Sequence, residues 1–251
     1  MSNTLVTRRR IWAWLSIIGG ALLFVGELLH PTAVSGLDER QTVAAELGDP
    51  LWIPAHALSL AGTAVLLIGM IAFVSSHTTG NLGPRELRRE DTPLAITVPL
   101  TKGARRAALW VAVATGLYVI QGIPHLVAFV DRDALLAGQA TPFLYTYYGL
   151  SVVAYPLFGF SVATLAWLSG RTLIHPVVNT LLAVVAVAFG LAPILHALTD
   201  IAVLDLLFWG AAVVALWFVA IGTIALARDH RERGHPARTH EGQGRGGDSY
   251  H

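Results

Sequence analysis

The chain has 251 residues, 54% of them hydrophobic and only 13% charged. A soluble domain carries about 25% charged residues, so an ordinary water-facing globule is excluded. A net charge of +1 offers no basic field for nucleic acid. With no cysteine, disulfides, thiolate metal sites, iron–sulfur clusters and covalent c-type haem are excluded too. Any metal must therefore be held by His, Asp, Glu, Met70 or backbone oxygen.

The apolar residues fall in runs of about twenty or more, long enough to cross a hydrocarbon core about 30 Å thick. The first, about 11–29, follows Arg8, Arg9 and Arg10 and carries Trp12 and Trp14 as interface anchors. It outlasts the apolar region of about 7–15 residues in a signal peptide, and no small-residue cleavage site follows, so it is read as a retained span. A polar segment, 31–50, leads to a second span at about 51–75. A long loop, 76–106, contains Arg85, Arg88, Arg89, Lys102, Arg105 and Arg106. Span three is about 107–130, span four about 142–168, span five about 176–198 and span six about 201–227. The Gly-, Arg- and His-rich tail, 228–251, has too little apolar surface to fold and reads as disordered. The expected fold is an all-α, six-helix transmembrane bundle between a short N-terminal segment, 1–10, and that tail.

Fifteen of the 17 basic residues lie at the N-terminus, in the 76–106 loop, at Arg171 and in the tail; Arg40 and Arg132 are the two on the other side. The positive-inside rule then places both termini in the cytoplasm, in a multi-pass plasma-membrane protein. Spans one, three and five each begin near a basic residue and reach a histidine about twenty residues later, a rise of about 30 Å. These pairs are Arg10 and His30, Arg106 and His125, and Arg171 and His196, the pattern of three consecutive helical hairpins.

That topology brings His30, His56, His125 and His196 to one depth near the outer face. Each has a proline beside it or within a few residues: Pro31, Pro54, Pro124 and Pro193. A proline at a helix end frees a carbonyl and distorts the turn, which at membrane depth is tolerated where protein or a wet cavity receives it. Glu27 lies one turn from His30 on the same helix face, and Asp205 lies about a turn inside span six. Both are intramembrane ionisable groups and candidate catalytic or proton-accepting residues. Tyr145, Tyr147 and Tyr148 line the start of span four.

The leading expectation is a haem b or metal site serving membrane electron transfer, ahead of a small-solute transporter or scaffold and, third, a zinc-dependent hydrolase; three chemistries suit such a layer. Two facing histidines can ligate a haem b, with Arg40 and Arg132 against its propionates and a quinone or outer-face redox partner. Three histidines with Glu27 or Asp205 can bind zinc, copper or iron; zinc with an open position implies a hydrolase. A His–Glu–Asp array can relay protons in a small-solute transporter without metal. The plain alternative treats the histidines as interface residues of a scaffold or accessory subunit, with imidazolium favoured at helix C-termini, and the tyrosines as an interface belt. No HExxH, Walker, GxGxxG or GxSxG motif occurs, and no lysine lies within a span, which excludes a retinal Schiff base.

Overall fold

The structure, a computed structural model, describes residues 3–31, 36–78, 101–169, 174–199 and 202–234. Every regular element among them is helical: α1 (Asn3–Leu28), α2 (Glu39–Leu47), α3 (Trp52–Thr78), α4 (Lys102–Val127), α5 (Arg132–Leu136), α6 (Pro142–Ser169), α7 (Pro176–Leu198) and α8 (Gly210–Gly234). Two 3-10 segments, Ala128–Asp131 and Ala202–Trp209, lead into α5 and α8. Six helices, α1, α3, α4, α6, α7 and α8, are long and apolar enough to cross a membrane. The chain is a multi-pass membrane protein in contact with the bilayer.

The expected hairpins are present as α1/α3, α4/α6 and α7/α8. They close into a ring because α3 also packs on α4, α6 on α7, and α8 back on α1. Without a hydrophobic drive between helices in lipid, close approach through small residues carries the packing. Gly19 and Gly62 oppose each other at α1/α3. Gly159 faces Gly190 and the Ala186 carbonyl at α6/α7, while Gly20 and Gly222 bring α8 onto α1. Each faces backbone where a Cβ would stand. Inside the ring, Leu66, Val111, Phe158, Val162, Phe189 and Phe218 form one buried core. Asn179, buried within α7, accepts from the Trp217 indole at 3.2 Å. Arg10 pairs with Asp229 at 2.9 Å, tying α1 to α8 at the end that carries the termini.

The elements depart from the sequence-based boundaries where polar chemistry takes over from hydropathy. The segment expected as a polar connection, 31–50, contains α2, started by a capping box in which Asp38 accepts from Gln41 N–H. The short loop after span three is helical as well, and the buried Asp131 carboxylate accepts from the N–H groups of Phe143 and Leu144 to cap α6. Helices α2 and α5 pack together, with Arg132 Nε–H donating to the Ala44 carbonyl at 3.1 Å. A second apolar cluster of Leu47, Trp52, Ala128 and Leu144 lies in this cover. The sixth crossing opens in 3-10 geometry, and α8 runs past Arg228 to Gly234. Tail residues 235–251, the Arg85–Arg89 cluster, Arg171 and Asp200 lie outside the described residues.

Candidate metal centre

His30 directly follows the end of α1, His56 lies in the first turns of α3, and His125 lies in the last turn of α4. All three are therefore at the end of the ring opposite the termini. Their rings converge, with centroids 4.7 Å apart for His30 and His56, 4.2 Å for His56 and His125, and 6.3 Å for His30 and His125. One nitrogen from each lies within 4.8 Å of the other two. Two imidazole nitrogens on one tetrahedral ion, with bonds near 2.1 Å, stand about 3.4 Å apart. A small inward movement of the rings brings this set to ligand distance.

Backbone carbonyls fix which nitrogens point inward. The His56 Nδ1–H donates to the Trp52 carbonyl at 2.7 Å, and the His30 Nδ1–H donates to the Pro31 carbonyl at 2.9 Å. A carbonyl only accepts, so the proton sits on Nδ1 and the lone pair on Nε2. This is the outer hydrogen bond that orients metal-binding imidazoles. Among the described residues, the one buried side-chain nitrogen or oxygen without a hydrogen-bond partner is Nε2 of His56. Leaving such an atom unpaired costs about 1–3 kcal/mol. Burial holds the His30 imidazole below its usual range, its bond to Pro31 working the other way; the neutral ring is the metal-binding form.

Aromatic rings wall the cluster. Trp52, one turn before His56, lies 3.9 Å from its ring, and its Nε1–H reaches the Leu126 carbonyl at 3.3 Å. Tyr147 stacks on His125 at 3.8 Å with 14° between planes. Of the three tyrosines singled out from sequence, Tyr145 and Tyr148 are exposed and Tyr147 turns inward. Trp52 went unnoticed, though its four-residue spacing from His56 places both on one helix face.

Glu27 is half-buried one turn below His30 and accepts a hydrogen bond from Ser59 Oγ at 3.2 Å. Gly26 lies against Ser59, which is how α3 comes close enough for that bond. His196 is not part of the triad. It sits in the last turn of α7, its ring 6.3 Å from that of Phe208. Asp205 falls in the 3-10 segment Ala202–Trp209, and its side chain lies outside the described residues. Arg40 lies beside Gly138, whose φ of +68° suits only glycine, and Arg132 Nε serves Ala44.

The arrangement can hold one small ion. Ligation of a haem iron between two imidazoles needs ring centroids about 6 Å apart with a flat macrocycle between them; His30 and His125 stand at that distance, 6.3 Å, with the His56 ring 4.7 and 4.2 Å from the two and Tyr147 stacked on His125. No protein family, curated protein or solved structure matches the chain.

Proposed function

We propose that this membrane protein binds a single transition-metal ion through His30, His56 and His125, at the extracytoplasmic end of the bundle, and uses it for metal-assisted hydrolysis. The orphaned Nε2 of buried His56, aligned by its Nδ1 bond to Trp52, is the observation that carries the reading. An all-imidazole donor set suits zinc, copper or iron. Three protein ligands leave a fourth position for water or substrate, and zinc so held lowers the pKa of bound water to about 7. The extracytoplasmic placement rests on the distribution of basic residues. The His56 ring packed against both His30 and His125, with Tyr147 stacked on His125, favours an ion over haem b, the other cofactor that the histidines invite.

A second reading has its own support. The stacking of Tyr147 on His125, and of Trp52 beside His56, would equally serve an aromatic cluster bracing a scaffold or transporter. Zinc titration of metal-free protein in detergent separates the two. A metal site predicts one zinc per chain, with affinity lowered at least about tenfold in each of His30→Ala, His56→Ala and His125→Ala, and unchanged in His196→Ala. Equal affinity in all four variants would leave the aromatic cluster. Because imidazole sites bind copper more tightly than zinc in any case, the discriminating result is the metal carried by the protein as purified: copper or iron there in place of zinc would replace hydrolysis by electron exchange with a quinone or an outer-face partner.

A further inference from the structure

Beside the triad lies a cleft of about 420 Å³, between the end of α2, the start of α3 and the segment that joins α4 to α5. Small-molecule sites occupy about 300–1,000 Å³. The lining is split by chemistry. Gly48, Asp49, Arg132 and Asp133 form a polar half, and the other half includes Trp52, Ile53, Phe129 and Val130. Ile53, Phe129 and Val130 are exposed. They lie near the ends of two stretches able to cross a membrane, Trp52–Ser76 and Lys102–Leu136. Exposed apolar side chains on such stretches meet lipid chains, whereas charged groups belong at the headgroup level. The cleft therefore straddles the boundary between hydrocarbon and headgroups.

Its polar half is held in place. Arg132 Nε–H donates to the Ala44 carbonyl at 3.1 Å. The same guanidinium lies against Gly48, where a Cβ would come 2.6 Å from Nε. Its terminal nitrogens have no hydrogen bond or ion pair among the described residues. A planar guanidinium with its outer N–H groups free matches a phosphate. Asp133 follows Arg132 in the chain, and Asp49 lies in the facing turn, one carboxylate oxygen accepting from Leu51 N–H at 2.7 Å. Neither aspartate has an ion pair among the described residues. One guanidinium set among two carboxylates does not match a simple anion. It matches a phosphate that carries its own ammonium group.

We propose that this cleft binds the headgroup of a zwitterionic phospholipid from the surrounding leaflet, with the phosphate on Arg132 and the ammonium on Asp49 and Asp133. The glycerol region then covers Ile53, Phe129 and Val130. An acyl chain has a path along α3, where Ile53, Ala57 and Ala61 are exposed at four-residue spacing and share one helix face. A water-soluble solute would leave that apolar surface without a partner. Trp52 joins the cleft to the triad. It lines the cleft, its ring lies 3.9 Å from that of His56, and its Nε1–H reaches the Leu126 carbonyl. The headgroup stands one indole away from the histidines, and its binding needs no metal.

Native mass spectrometry of the metal-free full chain in detergent tests this, with phosphatidylethanolamine and phosphatidylglycerol of the same acyl chains as probes. Wild type should bind phosphatidylethanolamine at least about tenfold more tightly than phosphatidylglycerol. Arg132→Gln should lower that affinity by about tenfold or more. Arg132 also holds α5 on α2, so a second variant reads charge alone. Asp49→Asn combined with Asp133→Asn keeps an acceptor for Leu51 N–H, and should reverse the preference toward phosphatidylglycerol. Glycerophosphoethanolamine, the headgroup without its chains, should fail to compete at equal concentration. Equal affinity of wild type for the two lipids, or an unchanged order of preference in the double variant, would overturn the proposal. Competition by the chainless headgroup as strong as by the lipid would overturn it as well, and make the cleft a solute site.

Discussion

At the scale of single residues, the site is made by groups whose partners lie within a turn or two. His56 was identifiable from sequence as one histidine among ten. Its special standing comes from Trp52, whose carbonyl takes one ring nitrogen and leaves the other pointing inward. Hydropathy and spacing say nothing of that, since it depends on χ angles and on the neighbouring helix. Glu27 was legible because a carboxyl inside an apolar run has few innocuous explanations. Its Ser59 partner was not, because α1/α3 register is set by Gly19, Gly26 and Gly62. Asp131 shows the converse: sequence placed it in a loop, and the structure buries it as a double acceptor at the α6 N-terminus. Removing both bonds should cost about 1–2 kcal/mol. Asp131→Ala should therefore lower the thermal midpoint measurably in detergent, and Asp131→Asn should lower it less. An unchanged midpoint for the alanine variant would mean that water replaces the carboxylate.

At the scale of elements, the six crossings were legible because about twenty consecutive apolar residues have few other uses. The small helices α2 and α5 were hidden because each is short and mixed in character. They are held by the capping box at Asp38 and by Arg132 on Ala44, which are local hydrogen bonds rather than hydrophobic periodicity. Helix pairing was half visible, with the hairpins following from short connections but the closure of α8 on α1 not. That closure depends on Gly20 and Gly222 meeting backbone on the partner helix. The α6/α7 contact is the most sensitive of these. A Cβ on Gly159 would collide with the Ala186 carbonyl and lie 2.7 Å from the Gly190 Cα, atoms that cannot move without separating the helices. Gly159→Ala should destabilise by about 1–3 kcal/mol; Gly149→Ala, with nothing within 4 Å, is the control. Equal midpoints for the two variants would show that α6 and α7 separate easily.

At the scale of the whole molecule, the ring is asymmetric along its axis. The three histidines gather under a helical cover at one end, and the half toward the termini holds the packed apolar core with separate buried polar groups such as Thr115 and Asn179. The distribution of basic residues sets the expectation that the end with the triad faces away from the cytoplasm. The absence of native cysteine makes this testable by single-cysteine labelling. Gln139, exposed between α5 and α6, should in the Gln139→Cys variant react with a membrane-impermeant maleimide in intact cells. Labelling only after permeabilisation would turn the protein over and put the triad inside. Legibility at this scale was uneven for a physical reason. Topology is written in charge counts, which sequence carries in full, whereas the split into three converging histidines and a separate His196 depends on how the helices rotate about their axes.

Whether the three histidines hold an ion is read by X-ray absorption at the zinc edge of zinc-loaded wild-type protein. Ligation by the triad predicts one ion per chain surrounded by three imidazole nitrogens at about 2.0–2.1 Å, and loss of one of those imidazoles in His56→Ala. A shell of oxygen ligands alone, or a wild-type protein that retains no stoichiometric metal, would contradict it.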